Sequence, residues 1–198
     1  MKMEVLILTV IGAIAALAFA TKKSVTVIDA SGDTVITRHN KWNLPDIDQE
    51  NQHGVFSREF DEAFEKASGE TGVPFALIKA HAIRESSLKP NAYHFDNATV
   101  GASYGLMQVE WIAGSGRFEK YGVMDDEIRD GSLLYDPEVS ARLGALIIRD
   151  NLDWLKGNLR DAINAYNTGT REAKMPAPYN YVNDVLKYYS EIIGGEVL

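Results

Sequence analysis

The chain of 198 residues contains no cysteine, so it has neither a disulfide framework nor thiolate chemistry. Its four histidines do not show the spacing of metal-binding pairs such as His-Glu-x-x-His, and the sequence predicts neither a metal site nor a cofactor. Acidic residues outnumber basic ones by 28 to 20, which gives a net charge of -8. Without a cluster of basic residues to neutralise phosphates, we do not expect a nucleic-acid partner.

The sequence has one long apolar run, "VLILTVIGAIAALAFA" at residues 5–20. As a helix it would be about 24 Å long, slightly less than a hydrocarbon core of about 30 Å. The short run and the small-residue site at 18–20 fit a cleaved signal peptide. The alanine- and glycine-rich run fits an uncleaved anchor in the membrane almost as well, although the lysines at positions 22 and 23 lie on the wrong side for export under the positive-inside tendency. A buried core helix is the third interpretation. Either membrane interpretation predicts that the chain from residue 24 onward lies outside the cytoplasm.

The chain after this run divides into a short β segment and a helical domain. Residues 24–38 are rich in β-branched residues around the turn sequence "ASGD", which predicts a β-hairpin. The polar stretch 40–54 is typical of a linker. From residue 55 the pattern becomes helical, except for a centre at 87–114 in which we expect loops and short strands. We therefore predict a signal peptide or anchor at 1–23, a hairpin and linker at 24–54, and one domain at 55–198.

Capping residues predict where the helices of this domain begin and end. Ser57 is a candidate N-cap for a helix that ends near Gly72, and Pro74 opens the next helix. Asp136, followed by a proline, predicts the start of a long amphipathic helix. A shorter helix is expected to end near Gly169, and a last one covers "YNYVNDVLKYYSEI".

Glu85 lies near the end of the helix that Pro74 opens, on the face that it shares with Ile78 and Ala82. Burial disfavours the charged form of a carboxylate and raises its pKa, as a general acid working near neutral pH requires. An ion pair between Glu85 and Arg84 or Lys89 would explain the residue equally well on its own. The rest of the sequence must therefore decide between the two interpretations.

Three later segments accompany "RES" at 84–86, namely "SYGLMQV" at 103–109, "AINAYNTG" at 162–169 and "YNYVNDVLKYY" at 179–189. Each segment alone is compatible with ordinary packing. In this order and spacing they resemble the lysozyme-like superfamily that holds the bacterial lytic transglycosylases of the soluble-lytic type and the goose-type lysozymes. The resemblance covers about residues 70–192.

The resemblance implies a mainly α, lysozyme-like α+β fold, with a helical domain, a loop-rich centre and a small β element, preceded by an N-terminal hydrophobic helix and a short β-hairpin. It implies that the chain cleaves peptidoglycan glycan strands at the β-1,4 bond between N-acetylmuramic acid and N-acetylglucosamine. Glu85 is similar to the general acid of the family. The residues that match its substrate-binding positions are Ser86, Tyr104, Gly105, Met107, Gln108, Tyr166, Asn167 and Tyr181.

The spacing departs from the usual transglycosylase pattern and leaves the reaction open. Two residues, Ser103 and Tyr104, separate "GA" from Gly105 where that pattern has one, and the longer interval from Glu85 is similar to the goose type. A hydrolase needs a second carboxylate to activate water, whereas a lytic transglycosylase needs one acid and forms a 1,6-anhydro end. The candidates for a second carboxylate are Asp96, expected in a loop where it forms a turn, and Glu110, expected to face solvent.

A glycan-binding structural protein on the same scaffold is the alternative to an enzyme, and the joint presence of Glu85, Gln108 and Tyr166 argues against it. We expect the protein in the cell envelope, in the periplasm or anchored in the membrane and facing the wall. A phage particle or a secretion apparatus is the expected partner, because a short wall-cleaving domain behind an apolar segment suits local opening of peptidoglycan.

Overall fold

The computed structural model describes residues 6–9, 15–18, 24–28, 34–38, 40–97, 101–169, 180–195 and 197. The first four of these ranges form an antiparallel sheet of strands in sequence order. Its strands are β1 (Leu6–Thr9), β2 (Ala15–Ala18), β3 (Ser24–Ile28) and β4 (Thr34–Arg38).

The predicted hairpin is the β3–β4 pair, in which Ser24 lies opposite Arg38. Within the apolar run, the described residues 6–9 and 15–18 form β1 and β2, where we expected a helix. A uniformly apolar run carries no period that separates helix from strand, and the β-branched residues at its start favour a strand. Within the described ranges, no helix is long and apolar enough to span a membrane.

The remaining chain is mainly helical, with a small antiparallel sheet of order β5-β6-β7, as the resemblance implied. Its strands are β5 (Tyr93–Asn97), β6 (Gly101–Tyr104) and β7 (Val109–Trp111). Its helices are α1 (Asp61–Thr71), α2 (Phe75–Ser86), α3 (Asp125–Ile128), α4 (Pro137–Trp154), α5 (Leu159–Thr168) and α6 (Tyr181–Ile193). Helix α2 packs between α6 and α1, and α4 packs across α1, so most side chains of α2 are buried.

Helix ends follow the capping residues with one exception. The Asp136 carboxylate accepts the backbone N–H groups of residues 138 and 139 at the start of α4, as predicted. Gly72 and Gly169 end α1 and α5 in the left-handed conformation that glycine adopts without strain. The N-cap prediction for Ser57 is wrong, because α1 begins only at Asp61.

The segment predicted as a linker packs against the helical domain. Helix α2 starts after Pro74, which has no side-chain oxygen to cap it. Asp46 supplies that cap from outside, because its carboxylate accepts the N–H groups of Phe75 and Ala76, each at 3.1 Å. The apolar side chains of Leu44 and Ile47 are buried beside it. A long-range cap of this kind leaves no local pattern, so the sequence indicated only a polar stretch.

Candidate functional site

Glu85 lies in the last turn of α2, half-buried, at the wall of a cleft of about 650 Å³. The cleft is bounded by the end of α2, the small sheet and the end of α5. Burial raises the pKa of Glu85 from 4.5 to about 7, against opposing effects of the Tyr181 hydrogen bond and the Arg84 charge. A carboxyl group with this pKa holds its proton for about half of the time at neutral pH.

Tyr181, the first residue of α6, donates its hydroxyl to Oε1 of Glu85. Its ring is buried, and the guanidinium of Arg84 lies over it at 5.1 Å. Arg84 in turn donates to Asp184, one turn further along α6, at 3.0 Å. The ion pair that could have explained Glu85 therefore joins Arg84 to a different carboxylate, and it holds α2 and α6 together beside the acid.

The substitution Tyr181→Phe should raise the pKa of Glu85 above about 7, because the Tyr181 hydrogen bond favours the charged form. A carbon-13 NMR titration of the Glu85 carboxyl measures the shift. Tyr189→Phe is the matched control, because Tyr189 is also a buried α6 tyrosine but donates to the backbone carbonyl of Pro45. Equal titration of Glu85 in both variants would contradict the assigned role of the Tyr181 hydroxyl.

Tyr166 and Asn167 lie at the end of α5 and line the cleft, as the resemblance implied. The Tyr166 hydroxyl donates to the backbone carbonyl of Met107 at 2.8 Å. Burial and the nearby charge of Glu85 raise the pKa of Tyr166 well above its usual value, so it remains a neutral donor. Tyr166 therefore ties the turn before β7 to α5 across the cleft wall.

Gly105 allows the turn before β7 to pack tightly, as the sequence predicted. Its φ is +73°, and a Cβ at this position would lie 2.1 Å from the carbonyl oxygen of Leu134. Gln108, three residues on, also has a positive φ of 45°. Its side-chain NH₂ donates to the carbonyls of Ala92 and Gly105 at 3.2 and 3.1 Å. The amide oxygen of Gln108 is thus the atom available to a ligand in the cleft, where it can accept an N–H such as that of an acetamido group.

Three candidate substrate-binding residues have other structural roles. The Met107 side chain is fully buried against Gly144 of α4 and is not part of the cleft lining. Tyr104 is buried in an aromatic cluster with Tyr93 and Tyr135. The Ser86 hydroxyl reaches the cleft wall, but it donates to a carbonyl of α2 and accepts the N–H of residue 89, so it closes the helix end.

The two candidate second carboxylates occupy different positions from those expected. Glu110 lines the cleft instead of facing solvent, because Val109 and Trp111 alternate with it in β7 and point into the core. Its carboxylate accepts the guanidinium of Arg117 at 2.6 Å. Asp96 lies in β5, not in a loop, and its side chain is outside the described part of the chain. No free second carboxylate faces Glu85 among the cleft-lining residues described.

The sequence did not indicate several polar residues of the cleft. His94 and Ser103 face each other across the β5–β6 pair and both line the cleft, and Arg117 enters it from the loop after β7. His94, Tyr93 and Phe95 of β5 are all exposed, so burial along this strand gave no alternating pattern that could have marked the cleft side. The cleft therefore combines one proton donor, the Glu110–Arg117 ion pair and neutral polar groups, which suit a polar, acetamido-bearing ligand.

The chain resembles known proteins in sequence and in fold. The family model described as the transglycosylase SLT domain matches residues 62–185. Protein IpgF of Shigella flexneri is 26% identical over 131 residues, which cover 66% of this chain and 81% of that protein, and Protein IpgF of Shigella sonnei matches to the same extent. An X-ray structure of the lytic transglycosylase Slt from Pseudomonas aeruginosa, as an inactive glutamate-to-glutamine mutant, superposes with a TM-score of 0.55 and 21% identity. That match covers 71% of this chain and 25% of the Slt chain, and it shows the shared fold.

Proposed function

Since the chain belongs to the transglycosylase SLT domain family and is a peptidoglycan-cleaving enzyme, we propose that it is a lytic transglycosylase in which Glu85 acts first as general acid and then as general base. The bond cleaved is the β-1,4 linkage between N-acetylmuramic acid and N-acetylglucosamine. The observation that carries the proposal is one half-buried carboxyl group in the cleft whose pKa is raised to about 7.

The reaction needs only this one carboxyl group. Glu85 gives its proton to the glycosidic oxygen, and the bond from that oxygen to C1 of the muramic residue breaks. The Glu85 carboxylate then takes the proton of the C6 hydroxyl of the muramic residue, and the oxygen of this hydroxyl bonds to C1. The products are a new 4-hydroxyl on N-acetylglucosamine and a 1,6-anhydromuramic end, and Glu85 is again protonated. No water is consumed.

The surroundings of Glu85 support both halves of this cycle. Burial keeps the acid form populated at neutral pH, and the hydroxyl of Tyr181 stabilises the carboxylate that forms after proton donation. Glu110 is the other carboxylate among the described cleft-lining residues, and its Oε1 is bound to Arg117. Its engagement favours transfer to the internal C6 hydroxyl over hydrolysis.

Mass spectrometry of the fragments released from purified peptidoglycan tests the reaction type. We expect 1,6-anhydro ends, each lighter by one water than a reducing end, from the wild type and from Glu110→Gln and Asp96→Asn. Glutamine at position 110 keeps an oxygen that can accept from Arg117, so its effect on the cleft is small. Reducing ends from the wild type, lost in either variant, would instead identify a hydrolase with that carboxylate as its base.

We also place the protein in the cell envelope, in the periplasm or anchored in the membrane, because its substrate lies outside the cytoplasmic membrane and residues 5–20 are apolar. There it would open peptidoglycan locally for a secretion apparatus or a phage particle. Fractionation of cells that produce the full chain, with detection in membrane, periplasmic and cytoplasmic fractions, tests the location. A protein found wholly in the cytoplasm would contradict it.

A further inference from the structure

The proposed mechanism leaves one buried titratable group next to the acid unexplained. His81 lies one turn before Glu85 on α2 and is fully buried. Its Nδ1 lies 3.2 Å from the hydroxyl oxygen of Tyr181, and its ring packs on Tyr166 with centroids 4.7 Å apart. Its Nε2 is buried and has no hydrogen-bond partner in the described structure. His81, Tyr181 and Glu85 therefore form a short chain of hydrogen bonds that ends at the acid.

The direction of this chain follows from the groups that compose it. Burial lowers the pKa of His81 to about 3, so the imidazole is neutral and carries one N–H. A carboxylate is a stronger acceptor than an imidazole nitrogen, and the Tyr181 hydroxyl donates to Glu85. The Tyr181 oxygen must then accept from His81, which assigns the proton of the ring to Nδ1.

The Nδ1–H tautomer also determines which oxygen of Glu85 can carry a proton. If Oε1 were protonated, it would have to donate to Tyr181, and the hydroxyl of Tyr181 would have to turn toward an Nδ1 that is already protonated. Tautomer exchange would pass through a charged ring, which burial disfavours. We propose that His81 is a positioning residue that holds the Tyr181 hydroxyl on Oε1 and so keeps the exchangeable proton of Glu85 on Oε2, the oxygen without a partner among the described residues. This inference rests on the proposed function of Glu85.

Other charged groups near Glu85 cannot set this direction. Arg84 of the same helix is paired with Asp184, and the Tyr166 hydroxyl is bound to a backbone carbonyl. The remaining titratable groups that line the cleft are Lys89, Tyr93, His94, Glu110 and Arg117. In the described structure the Tyr181 hydroxyl bonds to His81 and Glu85, whereas Glu110 and Arg117 bond to each other.

Nitrogen-15 NMR of the His81 ring tests the tautomer without reference to activity. We expect a protonated Nδ1 and a bare Nε2, both in the wild type and in Glu85→Gln, whose amide oxygen still accepts from Tyr181. An Nε2–H tautomer in the wild type would overturn the proposal. Because the measurement needs no substrate, its outcome is independent of whether Glu85 is the catalytic acid.

Activity as a function of pH supplies the second test. His81→Phe removes the Nδ1–H donor but keeps a planar ring. We expect kcat to fall about tenfold, which is part of the roughly 10²–10⁴-fold acceleration that a general acid supplies, and KM to change little. The alkaline limb of the kcat profile should move to higher pH, because a less polarised Tyr181 hydroxyl stabilises the carboxylate less. His81→Asn, which offers an N–H near the position of Nδ1, should restore most of kcat and the limb. A folded His81→Phe with a wild-type profile would overturn the proposal, whereas activity that persists in Glu85→Gln would instead refute the proposed function.

Discussion

Replacing Glu85 by glutamine is expected to reduce peptidoglycan cleavage by about 10²–10⁴-fold, because the amide cannot donate a proton to the glycosidic oxygen or accept one afterwards. The change keeps the shape of the side chain. The Tyr181 hydroxyl can still donate to the amide oxygen, so the hydrogen bond between α2 and α6 is retained. The free energy of unfolding should therefore change little, and the loss should appear in turnover alone. Zymography and quantification of released fragments measure the loss.

The control for this substitution is Glu70→Gln, the same chemical change on α1 at a residue that pairs with Arg142 outside the cleft. It should cleave peptidoglycan like the wild type. Clearing by the Glu85 variant as strong as that of the control would refute the role of Glu85 as acid and base. Substrate binding, measured by co-sedimentation with insoluble peptidoglycan, should persist in Glu85→Gln and would exclude a simple loss of affinity.

The helical period could place Glu85 on the buried face of α2, but it was the family resemblance that singled it out as the candidate acid. Helix geometry alone places Glu85 on one face with Ile78 and Ala82. In the structure Ile78 and Ala82 are fully buried, as the apolar pattern of that face indicated. Tyr181 and Tyr166 came from the family resemblance. The structure then adds what the pattern could not, namely that the Tyr181 hydroxyl reaches Oε1 across two helices.

The sequence predictions that differ from the structure concern features that depend on tertiary contacts. The direction of the Met107 side chain is determined by the left-handed turn between Gly105 and Gln108, and no propensity of methionine encodes it. The position of Glu110 in the cleft depends on strand register, because a shift by one residue moves every side chain to the opposite face. The segment around Asp46 had no period, since its role is to cap a helix that begins about 30 residues later.

Lys79 is the residue whose burial the sequence concealed most fully. It lies in the middle of α2 with no exposed surface, and its ammonium group donates to the Asp61 carboxylate at 2.7 Å. The Gln52 side chain bonds to both groups. Its partners are 18 and 27 residues away in the chain, so a helical pattern could not show that this cation is paired inside the protein.

Asp61→Asn is expected to destabilise the protein by about 3–5 kcal/mol, because it leaves the buried ammonium without its counter-charge. Burial lowers the pKa of Lys79 even with Asp61 present, and the loss of the carboxylate lowers that pKa further. The folded variant therefore binds the Lys79 proton less tightly than the unfolded chain does. At pH values below the lowered pKa of Lys79 in the folded variant, the buried ammonium destabilises the variant fully. This destabilisation declines as the pH rises from that pKa toward 10.5, the pKa of Lys79 in the unfolded chain. Urea unfolding at several pH values measures both effects.

The double variant Asp61→Asn with Lys79→Met separates the charge effect from packing. Methionine fills a similar volume without a charge, so the double variant should recover most of the stability lost in Asp61→Asn, and its stability should not rise with pH in the alkaline range. A double variant as unstable as Asp61→Asn would mean that the Asp61 contacts at the start of α1 matter more than the ion pair. Lys79 lies six residues before Glu85 on α2, and its pairing with Asp61 joins α2 to the start of α1. A double variant that regains stability and cleaves peptidoglycan normally would therefore show that this pair stabilises the fold without taking part in the chemistry.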